Sequence, residues 1–291
     1  MRSLTVLVRE RPCKRFAAGL LALSIAGATF AHDFWIEPGS FRPQTGAKVP
    51  LNLRIGTDFK GESAVFNPQY FNRYIVAGPT DEKPVDGDPG DEPAGTITAS
   101  KPGLYAVLYD SKKFDVTFDN FDKFHDYLKE EGLERLMPFA KARAGNGGKI
   151  NEVYSRCAKT LIATRSVVSG AASSATTGAR PDDAAATRNF GCALELVPET
   201  NPYRPGPTRE LRVQLLFKGA PVEGVLIIAF NKADPASKLR VRTDKEGRAT
   251  LSLQRSGVWL VKGVHMTLMS RFTRGDWESF WASLTFEVPG Q

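Results

Sequence analysis

The carboxy-terminal part of the chain consists of short segments of strand-like pattern with no helix between them. Apolar and polar residues alternate over 211–215 and 249–253, and apolar runs occupy 225–230 and 259–269. Alternation with period two is typical of a strand with one buried face. This spacing predicts an antiparallel sandwich of immunoglobulin-like size over residues 191–291. The chain lacks the strand–helix alternation and the glycine-rich phosphate loop of nucleotide-binding α/β folds, so the sequence disfavours that class.

Residues 32–118 are predicted to form a second β-rich unit. Apolar residues alternate with polar ones over Leu51–Ile55, and Leu104–Tyr109 follows a Lys-Pro-Gly turn as another strand. The acidic stretch Asp86–Glu92 contains four carboxylates. Its spacing matches no twelve-residue calcium loop with a final bidentate glutamate, so a solvated turn is favoured over a calcium site.

A helical segment is predicted between the two β units, over residues 119–165. The first helix is capped by Asp119 and has three apolar residues on one face, namely Phe121, Phe124 and Leu128. A second helix is predicted over Ile150–Ala163, with Arg156 and Lys159 facing water. The predicted fold class is therefore mainly β, with two immunoglobulin-like antiparallel β-sandwich domains and a helical insertion between them.

The stretch 166–190 is rich in Ser, Ala, Thr and Gly and is predicted to be a flexible loop before the carboxy-terminal domain. Cys157 and Cys192 lie on either side of it. In an oxidising compartment the simplest expectation is that these two cysteines form a disulfide, while a cysteine-based metal site is the weaker interpretation.

The first 31 residues have the composition of a secretory signal peptide. Basic residues precede the apolar run Phe16–Phe30, which is too short for a membrane span and ends in small residues. Cleavage after Ala31 is favoured over cleavage after Ala28 or Thr29. Removing residues 1–31 takes away five basic side chains, one acidic side chain and Cys13, so the formal net charge falls from +7 to +3. The sequence thus predicts a periplasmic protein.

Cleavage after Ala31 would make His32 the first residue of the mature chain. A histidine at a free amino terminus offers its α-amine and its ring Nδ1 to one metal ion as a chelate. One further imidazole would complete a three-nitrogen site suited to copper or nickel. The chain contains three histidines, and the strand-like setting of His265 makes it the candidate for the third ligand, whereas His125 is predicted to face solvent on a helix.

Further side chains extend this candidate site. Strand alternation places His265 on the same face as Met269, whose thioether favours copper. Asp33 and Asp276 are possible auxiliary carboxylate ligands for nickel or cobalt. The cofactor predicted from these residues is a divalent transition metal, either Cu or Ni/Co.

Other functional classes have less support in the sequence. No arginine cluster indicates nucleic-acid binding, and no apolar run after residue 31 is long enough to span a membrane. Trp277 and Trp281 are predicted to be core or interface aromatics, with a sugar-stacking surface as the alternative. Asp276 and Glu278 are spaced to share a strand face, but nothing in the sequence indicates a catalytic cleft around them.

Several pieces of the chain resemble one family. These pieces are His32–Pro38, Leu196–Tyr203, Gly257–Lys262, Val264–Met266 and Asp276–Phe286. They look like the family called domain of unknown function 4198, and the resemblance covers nearly the whole mature chain. It implies a periplasmic component linked to nickel and cobalt uptake, with a signal peptide that ends just before a His-Asp or His-Glu start. It also implies a membrane metal transporter as a partner.

Three hypotheses follow from the sequence. The leading one is a non-catalytic periplasmic metal-binding protein that uses His32 and His265. The second is a copper-dependent oxidative enzyme with the same three-nitrogen site. The third is a carbohydrate-binding or adhesive sandwich in which the histidines have no metal.

Overall fold

A strand that is covered on both faces is typically a run of apolar residues without alternating polar ones. Four such strands form the centre of this molecule. The computed structural model describes residues 32–144, 148–165, 182–270 and 275–290. The protein is mainly β, as predicted. Within the described residues, no helix is long and apolar enough to cross a membrane.

The first half of the chain contributes nine strands to the described structure. Their bounds are β1 Asp33–Pro38, β2 Lys48–Thr57, β3 Lys60–Ala64, β4 Phe71–Ala77, β5 Glu82–Pro84, β6 Thr96–Thr98, β7 Leu104–Ser111, β8 Phe114–Phe118 and β9 Ile150–Ala163.

The remaining strands and the helices complete the described fold. The strands are β10 Leu194–Pro198, β11 Glu210–Phe217, β12 Ala220–Pro221, β13 Leu226–Asn231, β14 Asp234–Arg242, β15 Arg248–Ser252, β16 Gly257–Leu268 and β17 Trp277–Val288. The helices are α1 Phe121–Glu130, a 3₁₀ turn at Glu134–Leu136, α2 Met137–Ala144 and α3 Asp182–Ala186.

A nine-stranded central sheet runs through both halves of the chain, in the order β14-β13-β16-β17-β9-β7-β4-β5, with β8 also paired to β9. One small sheet, β1-β2-β3 with β6, covers one face of it, and another, β10-β11-β12 with β15, covers the other face. The two predicted sandwiches are therefore not separate domains, because they share this sheet. The parallel pair β17 and β9 joins the halves.

The predicted second helix over Ile150–Ala163 is wrong, because this segment is strand β9. Its apolar residues fit a helical stripe, but the strand is buried on both faces in its second half and pairs with β7 and β17. Because a strand buried on both faces carries apolar residues on both, its sequence does not show the alternation with period two. Lys159, predicted to face water, is buried, and Arg156 is half-buried.

The first predicted helix is confirmed as α1, with a small shift in its cap. Asn120 caps the helix by accepting a hydrogen bond from the backbone nitrogen of Lys123, whereas Asp119 forms an ion pair with the Lys123 side chain. The helix buries Phe124 and Leu128 against the central sheet. Of the predicted flexible loop, residues 166–181 lie outside the described structure, and part of the rest forms α3.

The side chains of the central strands alternate between two faces that differ in what covers them. The amino-terminal face carries Arg156, Lys262 and Ser283 and is covered by the β1-β2-β3 sheet and by α1 and α2. The carboxy-terminal face carries His265 and Phe280 and is covered by the β10-β11-β12 sheet.

Candidate functional site

Strand β1, which begins one residue after His32, is fixed on the amino-terminal face. Ser283 Oγ donates a hydrogen bond to the Phe34 carbonyl at 2.6 Å, and Thr285 Oγ1 donates one to the Ile36 carbonyl at 2.7 Å. Both hydroxyls belong to β17. The apolar side chains of β1 are buried on both sides of the strand. The backbone at His32 therefore has a defined position at the edge of this face.

A buried lysine lies beside the start of β1. Lys262 Nζ is 2.6 Å from Asp33 Oδ1 and 2.8 Å from Glu131 Oε1, and all three side chains are buried. Although burial opposes its charge, the two carboxylates raise the pKa of Lys262. Burial raises the pKa of Glu131 above its ordinary value, against the lowering effect of Lys262. This triad connects β1, the end of α1 and the central sheet.

A second buried carboxyl group lies further along the same face. Glu152 Oε1 accepts hydrogen bonds from Tyr127 Oη at 3.2 Å and from Ser279 Oγ, and Trp281 Nε1 donates to Ser279 Oγ at 3.0 Å. Burial raises the pKa of Glu152 to about 7. A carboxyl group with this environment is poised to change its protonation state near neutral pH.

Arg156 is the second cation of this region. Its guanidinium lies over the rings of Tyr154, at 4.7 Å, and Phe34, at 5.4 Å, and its Nη2 is 3.4 Å from the His32 carbonyl oxygen. Its buried Nε has no hydrogen-bond partner in the described structure, while the negative charges of Asp33 and Glu152 act on the guanidinium from nearby. Burial lowers the pKa of this guanidinium. Arg156 lines a narrow recess together with Asp33, Lys262 and Trp281.

His265 lies on the carboxy-terminal face, opposite the start of β1. Its ring packs against Phe217 with 4.5 Å between ring centroids, and its buried Nδ1 has no hydrogen-bond partner in the described structure. Burial, together with the positive charges of Arg135 and Lys218, lowers the pKa of His265 to about 4. The structure therefore does not bring His32 and His265 together, because the central sheet separates them.

The predicted auxiliary ligands have other partners. Asp33 is paired with Lys262, and Asp276 is held by Arg143 Nε at 3.1 Å and by the Asn151 backbone nitrogen at 2.9 Å. Met269 is half-buried, and its backbone nitrogen donates to the Asp276 carbonyl. Among the described residues, no group of three or more His, Cys, Asp or Glu side chains is placed to hold a metal ion.

The remaining sequence candidates are easily placed. Cys157 and Cys192 form the predicted disulfide. Trp277 and Trp281 are buried core residues, as predicted. His125 is a half-exposed residue of α1 beside Asp126. The acidic stretch at 86–92 is a largely exposed turn, as predicted.

Sequence reasoning did not identify Lys262, Glu131 or Arg156 as site residues. Lys262 was visible as a lone charge within an otherwise apolar strand, and such a charge needs a buried partner. Arg156 was hidden because its segment was assigned to a helix. Glu131 ends a helix, where nothing in the local pattern distinguishes it from a surface residue.

Comparisons with known proteins identify the family of this chain but give no information about its activity. A search of solved structures gives the D0-D1 domain of intimin, with 12% sequence identity and a TM-score of 0.19, covering 87% of this chain and 97% of that chain. A score this low carries no argument. No curated protein matches the chain significantly. The family model described as Domain of unknown function (DUF4198) matches residues 29–267. Because this match covers most of the chain, the protein belongs to the DUF4198 family.

Proposed function

We propose that the mature protein is a non-catalytic periplasmic metal-binding protein. It holds Cu or Ni/Co through the α-amine and the ring Nδ1 of His32, and passes the ion to a membrane metal transporter. The observation that carries the proposal is the anchoring of β1 by Ser283 and Thr285. A terminal residue makes a useful ligand only when the backbone next to it is held in place.

The chemistry of the proposed site follows from the two nitrogens of His32. Both nitrogens bind a metal in their deprotonated forms, so metal binding at this site would release their protons. Nitrogen donors of this kind favour Cu²⁺ over Ni²⁺ and Co²⁺. His265 lies on the opposite face, so the proposed site uses two protein nitrogens and leaves further coordination positions for other ligands.

The separation of His32 from His265 disfavours the hypothesis of an oxidative copper enzyme. A three-nitrogen copper site requires a second imidazole beside the His32 amine. The other two histidines are His265, on the opposite face, and His125, on α1. The binding hypothesis needs neither of them.

The test begins with the intact mass of the secreted protein, which fixes the cleavage position. Copper and nickel are then titrated into the protein that begins at His32. A matched variant begins at Thr29, which keeps the imidazole but places three residues ahead of it, so that the α-amine and the ring of His32 no longer form one chelate. We expect this extension and His32→Ala each to weaken copper binding by about 100-fold or more, since each removes one of two ligands.

Two results would overturn the proposal. One is a mature chain that begins at Thr29 in the cell. The other is copper affinity that survives both the extension and His32→Ala. Either result would favour the carbohydrate-binding or adhesive hypothesis instead.

A further inference from the structure

The buried triad of Lys262, Asp33 and Glu131 contains one carboxyl group more than an ion pair needs. Lys262 Nζ is 2.6 Å from Asp33 Oδ1 and 2.8 Å from Glu131 Oε1, and all three side chains are buried. Burying a second carboxylate beside one ammonium is costly. An amine, a carboxyl group that it can attack and a second carboxyl group that can move protons are, however, the parts of an amide-forming site.

The atoms that would react are already close together. Asp33 Cγ is one bond from Oδ1, so Lys262 Nζ lies within about 3.8 Å of that carbon. This separation is near the distance of about 3 to 3.5 Å from which positioned groups react. Asp33 belongs to β1 and Lys262 to β16, and both side chains are buried on the amino-terminal face. The strands therefore hold the nucleophile against the carbon that it would attack.

The surroundings of the triad favour uncharged groups and hold little water. A recess lined by Asp33, Lys262 and Trp281 has room for about one water molecule. Burial favours a neutral amine and a neutral carboxylic acid over the charged pair. Burial also raises the pKa of Glu131 to about 7, so this carboxyl group can both hold and release a proton near neutral pH. Arg156 lines the same recess, where its positive charge would stabilise an oxyanion formed from Asp33.

We infer that Lys262 and Asp33 form an intramolecular isopeptide bond between Nζ and Cγ, with Glu131 as the catalytic acid and base. The Lys262 ammonium first passes one proton to Asp33, which leaves a free amine and a carboxylic acid. The amine nitrogen attacks Cγ, and Glu131 accepts a proton from the nitrogen and returns it to the hydroxyl group of the intermediate. The C–O bond then breaks. The ammonium and the carboxylate thus become one amide and one water molecule, and Glu131 ends as it began.

This bond goes beyond the proposed metal site and does not depend on it. It uses neither the α-amine nor the ring of His32. It joins residues that are 229 positions apart in the chain and fixes the start of β1 to the central sheet covalently.

The other buried lysine of the central sheet provides an internal control. Lys159 Nζ is 2.8 Å from Glu195 Oε1, and both side chains are buried. Glu195 also accepts hydrogen bonds from the Phe190 and Cys192 backbone nitrogens. In the described part of the chain, no second carboxylate forms an ion pair with Lys159. This pair lacks the acid–base group, so we expect it to remain an ion pair.

The test is the intact mass of the secreted protein after reduction of its disulfide, because the amide makes the chain lighter by one water molecule. A different signal-cleavage position changes the mass by whole residues and is therefore distinguishable. Trypsin does not cleave after an acylated lysine, so the segments around Asp33 and Lys262 should appear as one branched peptide. Asp33→Ala removes the attacked carbon, Lys262→Arg removes the amine, and Lys159→Arg is the matched control.

We expect the unmodified protein and Lys159→Arg to be one water molecule lighter than their linear chains, and Asp33→Ala and Lys262→Arg to keep the linear mass. Asp33→Asn should instead lose one ammonia molecule, because its amide nitrogen is then the leaving group. Glu131→Gln should form the bond about 100-fold more slowly, as measured by mass spectrometry over time. A purely structural role of the triad would produce none of these mass changes.

Two results would overturn the inference. One is an unmodified protein that keeps its full linear mass and is cleaved by trypsin after Lys262. The other is a loss of water that persists in Asp33→Ala or Lys262→Arg, since it would then arise elsewhere in the chain. An unchanged rate in Glu131→Gln would overturn the role assigned to Glu131. The first measurement needs no variant, and none of these results alters the copper titrations that test the proposed function.

Discussion

The two faces of the central sheet are equally buried but differ in how they treat polar groups. The carboxy-terminal face packs mostly aliphatic and aromatic side chains, and its buried pair Lys159–Glu195 is supported by backbone donors. The amino-terminal face carries a lysine with two carboxylates, a separate glutamate and an arginine whose guanidinium packs on two aromatic rings. Burying so many polar groups is costly unless each is paired. We therefore expect the carboxy-terminal face to serve stability and, under the proposed function, the amino-terminal face to serve binding.

The largest effect is expected from Lys262→Met, which would leave Asp33 and Glu131 buried without their shared cation. We expect it to lower the free energy of unfolding by about 3 to 5 kcal/mol at neutral pH. Lys159→Met on the other face should cost less, because Glu195 keeps hydrogen bonds from the Phe190 and Cys192 backbone nitrogens. Urea unfolding of both variants measures the difference. Equal losses would erase the proposed distinction between the faces.

The disulfide allows a second test on the carboxy-terminal face of the central sheet. Cys157 and Cys192 are 35 residues apart and are buried together with Leu108. Replacing both cysteines by serine should lower the free energy of unfolding by about 3 kcal/mol, because the unfolded chain regains the freedom of the closed loop. Copper affinity should not change, since this bond is on the other side of the sheet from His32. A loss of copper binding in a folded double variant would contradict this.

The buried Glu152 predicts a pH dependence confined to the amino-terminal face. Its pKa of about 7 in the folded protein exceeds the ordinary value of about 4.5, so its protonated form stabilises the fold. That contribution is complete below pH 4.5 and is lost as the pH rises through 7, a change of about 3 kcal/mol. Glu152→Gln keeps an acceptor for Ser279 and Tyr127.

Thermal and urea unfolding between pH 4.5 and 8 test this expectation. The Glu152→Gln variant should lose less stability than the unmodified protein over this range. Glu134→Gln is the control, because Glu134 forms an exposed ion pair with Arg242. Parallel pH profiles for the unmodified protein and Glu152→Gln would show that Glu152 ionises normally.

The smallest effect is expected at His265. His265→Phe removes an unpaired buried Nδ1 and keeps the ring against Phe217, so the free energy of unfolding should change by no more than about 1 kcal/mol. Copper affinity measured by calorimetry should stay within about twofold of the unmodified value, since a Kd change that small is under 0.5 kcal/mol. A large loss would mean that His265 reaches the metal after all and would restore the three-nitrogen site.

Sequence alternation predicted strands that have one exposed face but failed for a strand that is buried on both faces. Alternation predicted β2 and β15, whose polar residues reach solvent. It failed at β9, because a strand buried on both faces loses its period and its few polar residues mimic a helical stripe. Because β9 is the strand that pairs with β17, assigning this segment to a helix also concealed the contact between the two halves of the central sheet.

The residues of the candidate site also differ in whether the sequence could identify them. His32 and Asp33 were found because a chain terminus is visible in the sequence. The contacts of Lys262 with Asp33 and Glu131 join residues 229 and 131 positions apart. Local patterns carry no information about such partners, and strand alternation gave only the face of Lys262. Lys262 and His265 are three positions apart in β16, so the alternation of strand side chains puts them on opposite faces, where the structure also has them.

The last strand of the chain holds the first strand in place, and this has a consequence for export. The hydroxyls that anchor β1 and the parallel neighbour of β9 all come from β17. Pairing between distant segments forms late in folding. A chain that crosses a membrane with its amino terminus first can pair β1 with β2 early but cannot anchor β1 on Ser283 and Thr285 until β17 has also crossed. A protein secreted as proposed would therefore acquire its His32 site only when translocation is complete, so that truncated or stalled chains would not compete for the metal.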